Sequence, residues 1–203
     1  MRLYVGRSGE LVEQILTFAN GPESSSAWRA AAAVTLIDSG RADEARELAL
    51  AEDFQSVPWD WVWSVTVSAW ADVCSRLGLV DRAGELYGLL KPFSVQLAVA
   101  GCYVSGSTDW ALGTLAATLE RHEQAEDHFA AAAEIEERFG APLFLARTRA
   151  SWARALIARG RSEDLDRAQL MLEQAEDAAR RLGAEGITRE VADCRAALAA
   201  ICG

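Results

Sequence analysis

The sequence predicts an all-α protein of about ten helices, arranged as a right-handed superhelical solenoid of helical hairpins. Three observations predict it. The chain has 203 residues, 51% of them hydrophobic and only four of them proline, which favours helix and is enough for a substantial core. Apolar residues recur at 3/4 spacing in paired runs: Leu112, Leu115, Ala116 and Leu119, then Ala125, Phe129, Ala132 and Ile135. Only Arg121 and His122 part these two runs, so the helices must fold back on each other. Finally, a small residue recurs as an anchor at Ala45, Ala83, Ala125 and Ala168, with Val12 a weaker fit, at spacings of 33, 38, 42 and 43. Twelve residues before the middle anchors stand Ala33, Ala71 and Gly113, and Ala153 matches in the last unit if Ser162, Glu163 and Asp164 are an insertion at the turn.

The elements follow in order. Residues 1–6 read as the tail of a first helix, with its partner over 9–18. Ser25 or Ser26 caps a helix running to residue 39, Gly40 turns the chain, and the partner covers 43–53. Pro58 sits in the first turn of a helix over 59–77, Gly78 stops it, and Asp81 starts the next. Lys91 and Pro92 break the pattern; the apolar, glycine-punctuated stretch 93–105 fits either a short helix or an extended crossing. Ser107 caps the hairpin described above, Pro142 opens a helix ended by Gly160, and another covers 163–182. Ile187, Val191, Cys194, Leu198 and Ile201 form one narrow stripe on a closing helix whose other face is polar. The whole is one domain, 1–203, with units at 1–20, 25–53, 58–91, 106–140 and 142–182 and a closing helix at 186–202. The front end opens inside a unit without a polar capping helix, which predicts either the C-terminal piece of a longer protein or pairing of two chains through that end.

A small residue facing a small residue, with an aromatic one turn later, is the pattern of tetratricopeptide-type repeats. The wording goes further. GRADEA at 40–45, GSTDWALGTLAATLERHEQAEDHFAAAAEIEERFGAPLFLARTR at 106–149 and ARALIARG at 153–160 resemble tetratricopeptide-like regions at the C-terminal end of large bacterial signalling proteins. These are class III adenylate or guanylate cyclases fused to a P-loop ATPase, and LuxR-type regulators of the STAND ATPase class. The resemblance covers most of the chain and is clearest from Gly106 onward. It implies a non-catalytic sensor or scaffold that binds a peptide, protein or small effector and signals to domains upstream. No GxxxxGK phosphate loop occurs, so no nucleotide-binding residue and no cofactor is implied. The basic helix-turn-helix with which LuxR-type members often end is missing too.

Charge narrows the partners. A formal net charge of -10 repels phosphate backbones and anionic lipid, so neither nucleic acid nor membrane is expected as a partner. Cys74, Cys102, Cys194 and Cys202 are scattered with no CxxC, which reads as free thiols in a reducing compartment. The N-terminus shows no apolar signal region and no run approaches a membrane span, so a cytoplasmic protein is expected.

Little points to catalysis or metal. His122 and Glu126 share a face at i,i+4, but His128 is turned away, and both histidines read as surface residues. The carboxylates of 134–137 lie on a helix whose other face is apolar, and a solvated face is their default. The tryptophans are more informative. Trp59, Trp63 and Trp70 form one stripe, most simply core, whereas Trp61 aligns with Val65, Ser68, Asp72 and Ser75 on the line expected to face a concave surface. By the same register Ser107, Trp110, Thr114, Arg147 and Arg154 join that groove. The partner-binding set is therefore Trp61, Ser68, Asp72, Trp110, Thr114, Arg147 and Arg154, since tryptophan and arginine are typical binding anchors; packing of the tryptophans against a neighbouring repeat is the other reading. Residues 142–161 carry five arginines and no acid after an acidic helix. Pairing between the neighbouring helices explains that run, or else a site for an acidic peptide or phosphate.

Overall fold

A computed structural model describes residues 8–202. After a short 3-10 turn at Ser8–Leu11 come α1 (Val12–Asn20), α2 (Ser26–Asp38), α3 (Ala42–Ala51), α4 (Trp63–Arg76) and α5 (Val80–Leu90). A two-stranded hairpin of β1 (Leu97–Ala100) and β2 (Tyr103–Ser107) interrupts the helices. Then follow α6 (Thr108–Thr118), α7 (His122–Arg138), α8 (Pro142–Arg159), α9 (Ser162–Leu182) and α10 (Glu185–Cys202). The described part is thus all-helical apart from one hairpin. The expected helix tail at 1–6 lies outside the described residues.

Caps and turns place most ends where the sequence puts them. Ser25 accepts from the Trp28 N–H and Ser107 from the Asp109 N–H, starting α2 and α6. Gly160 and Gly183 end α8 and α9 in the left-handed region that a side chain would strain. Ser162, Glu163 and Asp164 form the first turn of α9: α3, α5 and α7 begin three residues before their anchor alanines and α9 six before Ala168, so the insertion lengthens the helix and not the turn.

Helices α2, α4, α6, α8 and α10 form a row in which each touches the next, and α3, α5, α7 and α9 each pack on the row helix before and after them. The anchor residues Ala45, Ala83 and Ala168 are fully buried and Ala125 nearly so, as are Ala33, Ala71 and Ala153 opposite them. Gly113 shows why the position is small: a Cβ there would stand 2.7 Å from the buried Phe129 ring. One core cluster spans α1 to α7 and a second spans α8 to α10; Trp152 packs against both and stacks on Phe129 at 6.2 Å.

Three expectations need correction. Helix α4 begins at Trp63, not at residue 59, because Asp60 accepts the Val62 N–H at 3.0 Å and folds the chain into a tight turn. Trp59 is consequently no core residue: it is 69% exposed, leaning on Trp63 (4.3 Å) and Phe93 (5.1 Å). The stripe on α10 stops at Leu198, since Ile201 is 49% exposed. Of the two readings of 93–105, the extended one holds, as an antiparallel hairpin turning at Gly101 and Cys102 with a bulge between Ala98 and Val99. Side chains bond backbone groups on both its outer edges. Ser64 bonds both the N–H and the C=O of Val99; Arg147 donates to the Ser105 carbonyl at 2.7 Å; the Ser107 N–H donates to Glu136.

Candidate functional site: the cavity along the helix row

All five helices of the row line one open cavity of about 470 Å³. Apolar side chains come from α2 (Val34, Ile37) and α10 (Ile187), and Trp110 comes from α6. Charged groups are interspersed. On one wall Arg76 of α4 meets Asp38 of α2 at 2.7 Å and Asp72 at 3.5 Å. Burial works against the Arg76 charge, but Asp72, Asp38 and the more distant Glu190 outweigh it and hold its pKa above the ordinary arginine value. On the opposite wall Arg154 of α8 approaches Glu190 of α10 at 3.2 Å. Between them the Trp110 indole N–H donates to Ser151 at 3.1 Å, and Ser151 in turn reaches Glu190 at 3.4 Å. The Arg147 guanidinium lies 3.6 Å over the Trp110 ring, which fixes both. Cys194 also lines the cavity, but burial pushes its thiol up to about 11, so it is a protonated spectator at neutral pH.

Four of the seven residues chosen from the sequence, Asp72, Trp110, Arg147 and Arg154, line this cavity together. The other three do not. Trp61 precedes α4, is 72% exposed, and rests against the hairpin tip at Gly101. Ser68 and Thr114 are buried inside the row; the Thr114 hydroxyl is spent on the Ala111 carbonyl. The cavity residues that the sequence did not single out belong chiefly to α2 and α10, the first and last helices of the row.

The arginine-rich α8 pairs largely with its neighbours. Arg149 meets Glu137 of α7 at 2.9 Å, and Arg159 meets Glu126 of α7 and Asp164 of α9. A second polar centre lies away from the cavity. His128 is no surface residue: its Nδ1 lies 2.7 Å from the fully buried Asp109, and its Nε2 lies 3.1 Å from the Tyr87 hydroxyl. Asp109 also accepts from the Ser94 hydroxyl and the Val95 N–H. Burial alone would raise the Asp109 pKa, but these bonds hold it below the ordinary carboxylate value. This relay ties α5, α6, α7 and the chain entering β1 into one node. Tyr87 is itself buried and its hydroxyl pKa is raised, chiefly by that burial, so it presents no activated nucleophile.

Among the described residues no group of three or more metal-ligating side chains converges, and no helix is long and apolar enough to cross a membrane. Comparison of the chain with protein-family models, curated proteins and solved structures finds no match in any of the three.

Proposed function

We propose that the chain is a non-catalytic interaction module whose concave cavity receives a segment of a partner protein. The setting would be the one its sequence resemblance implies: the sensor or scaffold end of a bacterial signalling ATPase, cyclase or transcription regulator, with tetratricopeptide-like repeats as the framework. One observation supports this above the others. One open cavity lined by apolar and charged side chains draws residues from α2, α4, α6, α8 and α10, a lining that suits groove recognition of a helix or extended segment. Such a site also suits a regulator, because a segment touching both ends of the row would bias how far it bends.

The test is quantitative capture from the bacterial host with three immobilised forms: wild type, Arg154→Glu and Trp61→Ala. The expected outcome is one protein retained equally by wild type and Trp61→Ala and lost about tenfold by Arg154→Glu, with unchanged circular dichroism. Equal retention by Arg154→Glu would overturn the assignment of the cavity.

A second reading rests on its own observation. Phe18 of α1 and Trp28 of α2 stack at 4.7 Å and are both exposed. Such a ring pair fits homo-association through the front face, near the half-buried Leu11 and Ile15. Concentration-dependent mass in light scattering, abolished by Phe18→Glu, is the result this reading requires.

A further inference from the structure

The arginines of this chain differ in how fully they are used. Arg29 forks Glu52 at 2.6 and 2.8 Å, Arg41 forks Glu44 at 2.6 and 2.7 Å, and Arg159 forks Asp164 at 2.7 and 2.6 Å. Arg154, in the cavity, comes no nearer to Glu190 than 3.2 Å, makes no hydrogen bond to any described residue, and its side chain is 41% exposed. Arg189 stands on the α10 wall of the same cavity, exposed, with neither an ion pair nor a hydrogen bond among the described residues. Two guanidiniums with unspent donors therefore face one cavity, and the apolar Ile187 and Val34 line it with them.

Resting on the reading of the cavity as a segment-binding site, we propose that Arg154 and Arg189 form its carboxylate subsite, taking an aspartate or glutamate side chain of the partner with an adjacent apolar side chain set against Ile187 and Val34. The planar guanidinium fork matches a carboxylate in two parallel bonds, which Arg154 does not make with Glu190. Glu190 is the internal competitor. It approaches Arg154 at 3.2 Å without a hydrogen bond and also takes the long Ser151 contact, so a partner carboxylate gains the fork by displacing or joining it. The remaining acids do not close the subsite. Asp38 and Asp72 face Arg76 on the other wall, and Asp193 lies exposed one turn beyond Arg189. The chain's net charge of -10 opposes an acidic partner at long range, but at physiological salt that field is screened beyond about 8 Å and the nearest groups decide.

The experiment is a nuclear magnetic resonance titration of the whole chain with N-acetyl-Leu-Glu-Leu-amide, with the same peptide carrying Gln for Glu, and with inorganic phosphate. The Nε–Hε signals of Arg154 and Arg189 report the carboxylate; the methyl signals of Ile187 and Val34 report occupancy of the cavity. The expected result is saturable movement of all four with the Glu peptide, about tenfold weaker binding of the Gln peptide, and loss of the arginine response in Arg154→Ala and Arg189→Ala. Glu190→Gln, which removes the competitor, should bind the Glu peptide a few fold tighter, on the order of one lost charge-assisted contact. Tighter binding is a change that mere damage to the fold would not produce. Equal binding of the Glu and Gln peptides with moving methyl signals would overturn the subsite and leave the cavity reading standing. Silence of the methyl signals with both peptides would overturn both. Phosphate binding as tightly as the Glu peptide at the same arginines would mean a general oxyanion site and would overturn recognition of a protein carboxylate. Weaker binding by Glu190→Gln would overturn its role as competitor.

Discussion

Helix α8 turns Arg159 toward its neighbours and Arg154 toward the cavity, and the two behave differently; Arg147, also at the cavity, is held by Trp110 and the Ser105 carbonyl. Toward α7 and α9, Arg159 is buried to 8% exposure and spends its donors on Asp164 and Glu126. Toward the cavity, Arg154 leaves its donors to solvent. The same residue type on the same helix is structural cement on one side and an open reagent on the other. Arginine content says little about a binding site until each guanidinium's partners are known.

Substitutions on the two faces should differ in their effect. The largest effect belongs to the packed side, where hairpins close on one another. Phe129→Ala empties the space against Gly113 and Trp152 and should cost about 4 kcal/mol in urea unfolding, the scale of a buried aromatic lost to a cavity. Next comes Arg159→Ala, which leaves Asp164, 1% exposed, without its fork; a loss of about 2 kcal/mol is expected. The pH dependence gives the sign. Arg159 holds the Asp164 carboxyl below its ordinary range, so the stabilisation is present above an unfolded value of about 3.9 and is lost as pH falls through the lower folded value. Wild type and Arg159→Ala should therefore differ most near pH 7 and converge in strong acid. A gap that stays constant with pH would show the loss to be packing alone. The smallest effect is that of Arg154→Ala, which should change stability by less than about 0.5 kcal/mol, as exposed pairs do. A larger loss there would make Arg154 cement as well, and the contrast between the two sides would fail.

The helices were legible because their signals are local. Serine caps, left-handed glycines and the small residues at Ala45, Ala83, Gly113 and Ala125 act within one hairpin, and the chain follows them. The failures have local causes too. The Asp60 turn outbids Pro58 as the start of α4, and it carries Trp59 and Trp61 out of the helical register on which their placement rested. The node of Tyr87, His128 and Asp109 was out of reach for another reason. Its members lie 41 and 19 residues apart, on three helices, and no spacing within one helix announces it. The cavity falls between these cases. Its α4, α6 and α8 residues follow from hairpin register, while its α2 and α10 residues depend on how helices far apart in the chain are placed, which no single hairpin encodes.

The hairpin of β1 and β2 carries one more consequence. A lone two-stranded sheet offers two unpaired edges, each a template on which another chain can add a strand and start a growing aggregate. Here Ser64 occupies Val99 on one edge, while Arg147 and Glu136 occupy Ser105 and Ser107 on the other. The side chains that hold the hairpin in place thus also interrupt each edge as a template, since an added strand would have to displace them.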